Sequence, residues 1–368
     1  MLVRSLSLIL ISGCIAMTAC GGDDDATATP GGVGGYPAAG GKAGASGGGK
    51  AGSSATGAGG AADMAGASNE AGAGNEAGAG NEDPKVARGE YLVNHVAACP
   101  DCHTPRDDKG APIADKFLSG TECFVKLPNG DCLNSRNLTN DDTGLAGYTD
   151  AQIKNMIQNG IDDEDKPLNP VMPYYVFHNI SDADISAIVA YLRTVPAVVH
   201  DVPENGDSFV VPAAANPVDP TTIPMPASDF PERDSALRGR YLATQAGVCI
   251  ECHTKHETMG SADIIKPENF FAGGEQFDIG LPSIPVSANL TSDKDTGLGD
   301  WTADEIVKAV LEGVDKEGMG LCPPMPAGPM GAFGGLTQED ATDIANYIKS
   351  LPAISNKIDD MCSLPLGM

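Results

Sequence analysis

Cysteine, two intervening residues, cysteine and histidine stand together twice in this chain, as Cys99-Pro100-Asp101-Cys102-His103 and as Cys249-Ile250-Glu251-Cys252-His253. Cysteines at this spacing share one helical turn, where their sulfurs can form thioethers to the two vinyl groups of a haem. The adjacent histidine then turns an imidazole nitrogen towards the iron. A thioredoxin-type redox pair shares the Cys-x-x-Cys spacing but needs a βαβ setting, and neither motif has one. A zinc site would need the two motifs to be neighbours in space, and each lies in its own stretch of chain.

An iron held from one side by histidine takes a further ligand from the other. Met172 in Asn169-Pro170-Val171-Met172-Pro173 and Met325 in Cys322-Pro323-Pro324-Met325-Pro326 offer thioethers. Thioethers are soft, neutral ligands that favour ferrous iron and so raise its potential. The prolines restrict both loops, which helps to hold a weak ligand. Met330 is the alternative in the second loop, because Met325 to Pro352 spans 27 residues where Met172 to Pro196 spans 24. His178 and His256 are further nitrogen donors, read as ordinary surface or core histidines.

The two motifs belong to an internal duplication. Arg88-Gly89-Glu90-Tyr91-Leu92 precedes the first and Arg238-Gly239-Arg240-Tyr241-Leu242 the second, both at an offset of 150. Asn137-Leu138-Thr139 and Asn289-Leu290-Thr291 follow. Each then leads to Thr-Gly-Leu and an aromatic residue, Tyr148 or Trp301. Each copy ends in a helix closed by proline, Pro196 or Pro352. Residues 201–233 between the copies hold seven prolines without periodicity and read as a linker.

The elements that position these residues are helical. Thr149 with Gln152, and Thr302 with Glu305, form capping boxes for helices that end at Gly160 and Gly313. Ser181 and Thr337 cap the last helix of each copy. Ile185, Ile188, Val189 and Leu192 fall on one face, as do Ile344, Tyr347, Ile348 and Leu351. No alternating apolar run of strand length stands out. The expected class is all-α: two tandem domains, each of about three principal helices with long loops wrapped around a covalent haem. Three short helices alone bury little core, and a bulky cofactor supplies the missing apolar surface.

Of the 368 residues, 23 are Lys or Arg and 50 are Asp or Glu, for a net charge of −27. Residues 21–84 carry −6 and Arg4 +1, which leaves −22 on residues 85–368. A surface this acidic repels nucleic acid and anionic lipid headgroups and attracts basic protein patches. Arg4 followed by the apolar stretch Leu6–Ile15 reads as an export signal too short to span a bilayer. Cys20 is the expected lipidation site, giving a signal and anchor over residues 1–20, and Cys14 is the alternative. Residues 21–84, rich in Gly and Ala, read as a disordered tether. The expected domains are then residues 85–200 and 234–368.

Both copies resemble class I cytochrome c domains. Together they are similar to the tandem cytochrome c subunits of alcohol, gluconate and related dehydrogenases, and to dihaem thiosulfate dehydrogenases. The resemblance covers residues 86–354 and rests on the Cys-x-x-Cys-His, Asn-Leu-Thr, Thr-Gly-Leu and Met-Pro motifs. It implies two haem c groups, attached at Cys99 and Cys102 and at Cys249 and Cys252. The irons would be held by His103 with Met172 and by His253 with Met325. It also implies that Asn137, Tyr148, Asn289 and Trp301 line the haem edges or propionates. The remaining cysteines suit disulfides Cys123–Cys132 and Cys322–Cys362 in an oxidising compartment. Two other pairings satisfy the same count.

The expected function is one-electron transfer, without a catalytic residue, in a bacterial envelope. A dehydrogenase would serve as donor and an oxidase or soluble carrier as acceptor. A dihaem enzyme, a thiosulfate dehydrogenase or peroxide reductase, would need an iron with an open or labile position. The two methionines argue against that.

Overall fold

A computed structural model of the chain describes residues 83–368 apart from 108–109, 259, 278–283, 360–362 and 365–368. The signal, the tether up to residue 82, Cys14, Cys20 and Cys362 lie outside the described residues; the tether's last two residues, Asp83 and Pro84, instead cap and begin the first helix.

Helix α1 (Pro84–Tyr91) starts at an Asp83 cap and runs into a wider π turn, Leu92–Val96. The short α2 (Cys99–His103) follows. Helix α3 (Asp150–Asn159) carries the expected capping box of Thr149 and Gln152 and stops at Gly160. The single-turn α4 (Tyr174–Phe177) and the apolar α5 (Asp182–Leu192), capped by Ser181, complete the first half. The second half repeats the order: α6 (Arg233–Tyr241) with its π turn Leu242–Ala246, α7 (Cys249–Cys252), α8 (Ala303–Glu312) and α9 (Gln338–Ser350). Helix α8 has the Thr302 and Glu305 capping box and stops at Gly313, and Thr337 caps α9.

In each half the first helix crosses the last at a glycine. A methyl group on Gly89 would lie 1.9 Å from the Ala187 carbonyl oxygen, and one on Gly239 would lie 1.8 Å from that of Asp343. Only glycine lets the two backbones come so close. The crossing is pinned by a fork of two hydrogen bonds, Arg88 to Asp184 at 2.9 and 3.0 Å and Arg238 to Asp343 at 2.6 and 2.8 Å.

The all-α expectation needs amending. Strand β1 (Thr121–Lys126) pairs antiparallel with β2 (Cys132–Ser135), and Cys123 and Cys132 are joined by a disulfide across this hairpin. Cys123 has a positive φ of 51°, and the register breaks between Thr121 and Val125. Phe124, an outward-facing apolar residue between Cys123 and Val125, hid the alternation in the sequence. A second, two-residue pairing joins β3 (Gly320–Leu321) to β4 (Ser363–Leu364).

Residues 201–233, read as a linker, form a strap packed against both halves. Val202, Phe209, Val211, Val218 and Ile223 are buried. The strap bonds to the first half through Gly206 N to Cys132 O at 2.9 Å and Asn169 Nδ2 to Phe209 O at 2.8 Å. It bonds to the second through Asn216 N to Ala262 O at 2.6 Å and Arg240 Nε to Pro224 O at 3.2 Å.

One continuous apolar core runs through both halves, from Leu92, Val96 and Ile185 to Leu242, Ile250 and Ile348. Two reciprocal contacts close the junction. Tyr91 donates to Asp340 at 2.5 Å and accepts from Thr337 N at 3.2 Å. Tyr241 donates to Asp184 at 2.7 Å and accepts from Ser181 N at 3.2 Å. Each half's first helix is thus tied to the start of the other half's last helix. Burial first, and then the carboxylate partner, push both tyrosines up to about 12.

Candidate functional site

Each Cys-x-x-Cys-His motif is held by the same lattice of hydrogen bonds. In the first half Thr104 Oγ1 accepts from Leu118 N at 3.0 Å, and Gly120 N donates to His103 O at 2.8 Å. In the second Thr254 Oγ1 accepts from Phe271 N at 3.1 Å, and Gly273 N donates to His253 O at 2.8 Å. Leu118 and Phe271 both take a left-handed conformation, φ 57° and 63°. Such strain persists only where the surroundings over-determine it.

His103 Nδ1 lies 2.8 Å from Arg136 O, and His253 Nδ1 lies 2.8 Å from Ala288 O. A carbonyl oxygen can only accept, so Nδ1 carries the hydrogen and Nε2 keeps its lone pair. Burial lowers both histidines from the ordinary value, which keeps them neutral. A neutral imidazole fixed by its second nitrogen is the form that ligates a metal.

The four motif cysteines form no disulfide. Burial pushes Cys99, Cys102 and Cys249 up to about 12, and Cys252 is raised as well. Thiols so far from ionisation do not suit a thioredoxin-type pair. Among the described residues no three His, Cys, Asp or Glu side chains converge to hold a metal ion. The donors therefore fit a covalently held haem: two thiols on one turn and one neutral imidazole with a free Nε2.

The two methionine loops share a turn, Met172 N to Asn169 O and Met325 N to Cys322 O, both 3.1 Å. Met172 and Met325 pack partly buried against the core. Met330 is 92% exposed and points away from it. His178 bonds to Gln158 O at 3.1 Å. His256 has Nε2 on Glu251 and Nδ1 towards Glu275, so both nitrogens are occupied. Burial alone would lower His256, but the bonds to Glu251 and the Glu275 charge raise it to about 9.

Asn137 and Asn289 are buried loop braces. The Asn137 amide donates to Thr143 Oγ1 and Val198 O at 3.0 and 2.9 Å, and its carbonyl accepts from Thr139 N and Oγ1. Asn289 does the same with Thr296, Ile354 and Thr291. Neither has an amide hydrogen left for a propionate. Tyr148 and Trp301 pack partly buried against the core, and the Lys316 ammonium stands 5.9 Å from the Trp301 ring centre. Cys322 is disulfide-bonded, while Cys362, its expected partner, lies outside the described residues.

The sequence reading missed the residues that aim the histidines. Arg136 and Ala288 act through their carbonyls alone and leave no side-chain signature. Thr104 and Thr254 could have been found, since threonine follows the motif in both copies.

A family model described as cytochrome c matches residues 86–196. Among curated proteins, the cytochrome subunit of fructose dehydrogenase from Gluconobacter japonicus is 27% identical over 303 residues, covering 73% of this chain and 53% of that protein. The cytochrome c subunit of a quinone alcohol dehydrogenase from Gluconobacter oxydans is 28% identical over 74% of this chain and 56% of its own. This chain thus spans about half the length of these relatives. A diheme cytochrome c-type protein of Cereibacter sphaeroides is 27% identical over 73% of this chain and 87% of its own.

Proposed function

We propose that this chain, which carries a cytochrome c domain at residues 86–196, is an exported dihaem cytochrome that passes single electrons between envelope redox proteins. On this reading residues 234–368 are a second domain of the same kind. The carrying observation is one ligand arrangement repeated in both halves: buried paired cysteines, a neutral histidine spent at Nδ1 on a carbonyl, and a Met-Pro turn. The diheme relative, 87% of which aligns, supports the count of two. The names of the other relatives support a place as the cytochrome subunit of a dehydrogenase.

A haem iron, when bound, gains and loses one electron. The protein's residues do the rest. Cys99 and Cys102, and Cys249 and Cys252, would hold each ring by covalent bonds. His103 and His253 would offer Nε2 to the iron and Met172 and Met325 would offer sulfur, and a thioether favours the reduced form. Iron so held would carry electrons without transforming a small molecule. The −22 charge of residues 85–368 favours a donor or acceptor with a basic docking patch, met quickly and released quickly. The N-terminal signal, a lipid on Cys20 and the Gly/Ala-rich tether would keep the protein at a membrane surface.

The test is the mass of the acid-denatured mature protein, which should retain two haems. Met172→Ala and Met325→Ala should each remove the far-red methionine–iron band of one haem, and Met330→Ala should leave both. A wild-type protein with one band, binding cyanide without a lag, would turn the reading towards a dihaem enzyme.

A further inference from the structure

Tyr175 belongs to α4 of the first half, three residues after Met172, yet its surroundings come from the second. It is 1% exposed. Helix α4 packs on the π turn Leu242–Ala246 that leads into the second Cys-x-x-Cys-His motif. With Ile264, Ile265 and Phe270 of the second half, Tyr175 lines a cavity at the junction. Its ring meets Tyr174 edge-on, with centres 6.0 Å apart. Tyr174 Oη accepts from Ala215 N at 2.8 Å, but the Tyr175 hydroxyl is buried without a hydrogen-bond partner among the described residues. Buried hydroxyls are rarely left so.

The environment of that hydroxyl is specific. Burial first, and then the Glu251 charge, hold its proton well above the usual tyrosine range. The group is therefore a neutral donor at every working pH.

We infer that Tyr175 is a positioning residue lent by the first half to the second site, its free O–H donating a hydrogen bond to the haem held at Cys249 and Cys252. The inference rests on the dihaem reading above. A donor directed at a haem favours the state with the additional electron. The second haem is then the more easily reduced of two sites with the same ligand set, and electrons settle there. The mirrored contact, where the turn Ala332–Gly335 packs on Leu92–Val96, brings Phe333 and no side-chain hydroxyl to the first site.

The experiment is a potentiometric titration of the full-length holoprotein, followed in the visible spectrum, for wild type, Tyr175→Phe and Tyr174→Phe. Tyr175→Phe keeps the ring and its packing. It should lower the higher of the two midpoints, so that the reduced-to-oxidised ratio at a fixed ambient potential falls roughly threefold to tenfold, the range of one net hydrogen bond. Tenfold corresponds to about 59 mV for one electron. The lower midpoint should stay in place, and Tyr174→Phe should move neither. Unchanged midpoints, a shift of the lower one, or the same shift in Tyr174→Phe overturns the assignment while a mass with two haems leaves the dihaem reading standing. A mass without them overturns both.

Discussion

The two halves pair the acidic residue inside their Cys-x-x-Cys-His motif with different cations at the same offset. In the first half Asp101 meets Arg106 at 3.0 Å, three residues past His103. In the second Glu251 meets His256 at 3.2 Å, three residues past His253. Arginine keeps its charge at all working pH, and histidine does not. One frame therefore carries a fixed pair in one half and a titratable pair in the other. The same contrast holds more widely. What the halves share is the frame around the motif histidine: the Nδ1–carbonyl bond, the asparagine brace and the glycine crossing. What they do not share lies around it: the disulfide hairpin of the first half, and the cluster of Glu251, Glu275 and His256 in the second.

Substitutions at the shared parts should hurt both halves alike, and those at the unshared parts only one. The largest effect is expected at the helix crossings. Gly89→Ala and Gly239→Ala each drive a methyl group into a carbonyl and should each cost about 3 kcal/mol of unfolding free energy in urea. A difference of more than about half between them would break the equivalence of the halves. Next, Cys123→Ala with Cys132→Ala opens a bond spanning nine residues and should cost about 2 kcal/mol, with the second half's spectrum untouched. Tyr91→Phe and Tyr241→Phe should each cost about 1 kcal/mol by removing a bond across the junction. The pH effect stands apart from these. Folding raises His256 from 6.5 to about 9. Its contribution is thus fully present below pH 6.5 and fades as pH climbs through 9. A melting temperature followed across that window should decline in wild type and hold steadier in His256→Arg, which copies the first half.

Much of the site was legible because its signals are local. The motif spacing, the capping threonines with Gln152 and Glu305, and the repeated Met-Pro turn each need only a few neighbouring residues. The fold's departures were not local. The hairpin half-buries alternate residues of Thr121–Lys126, but exposed Phe124 masks that pattern in the sequence, and the conformation of Cys123 depends on Asn134 Oδ1 accepting from its backbone N at 2.6 Å. Phe209, Val218 and Ile223 of the strap are buried by surfaces from distant segments, so no period marks them. Asn137 and Asn289 were legible as repeated polar residues. Their work was not, because spent hydrogen-bonding capacity shows only once Val198 and Ile354 are in place.

The two crossed tyrosine contacts also differ in their order along the chain. Tyr241 follows Asp184 by only 57 residues, so its acceptor precedes it along the chain. Tyr91 precedes its acceptor, Asp340, by 249 residues. The half that comes first in sequence is thus completed only by helix α9 of the second.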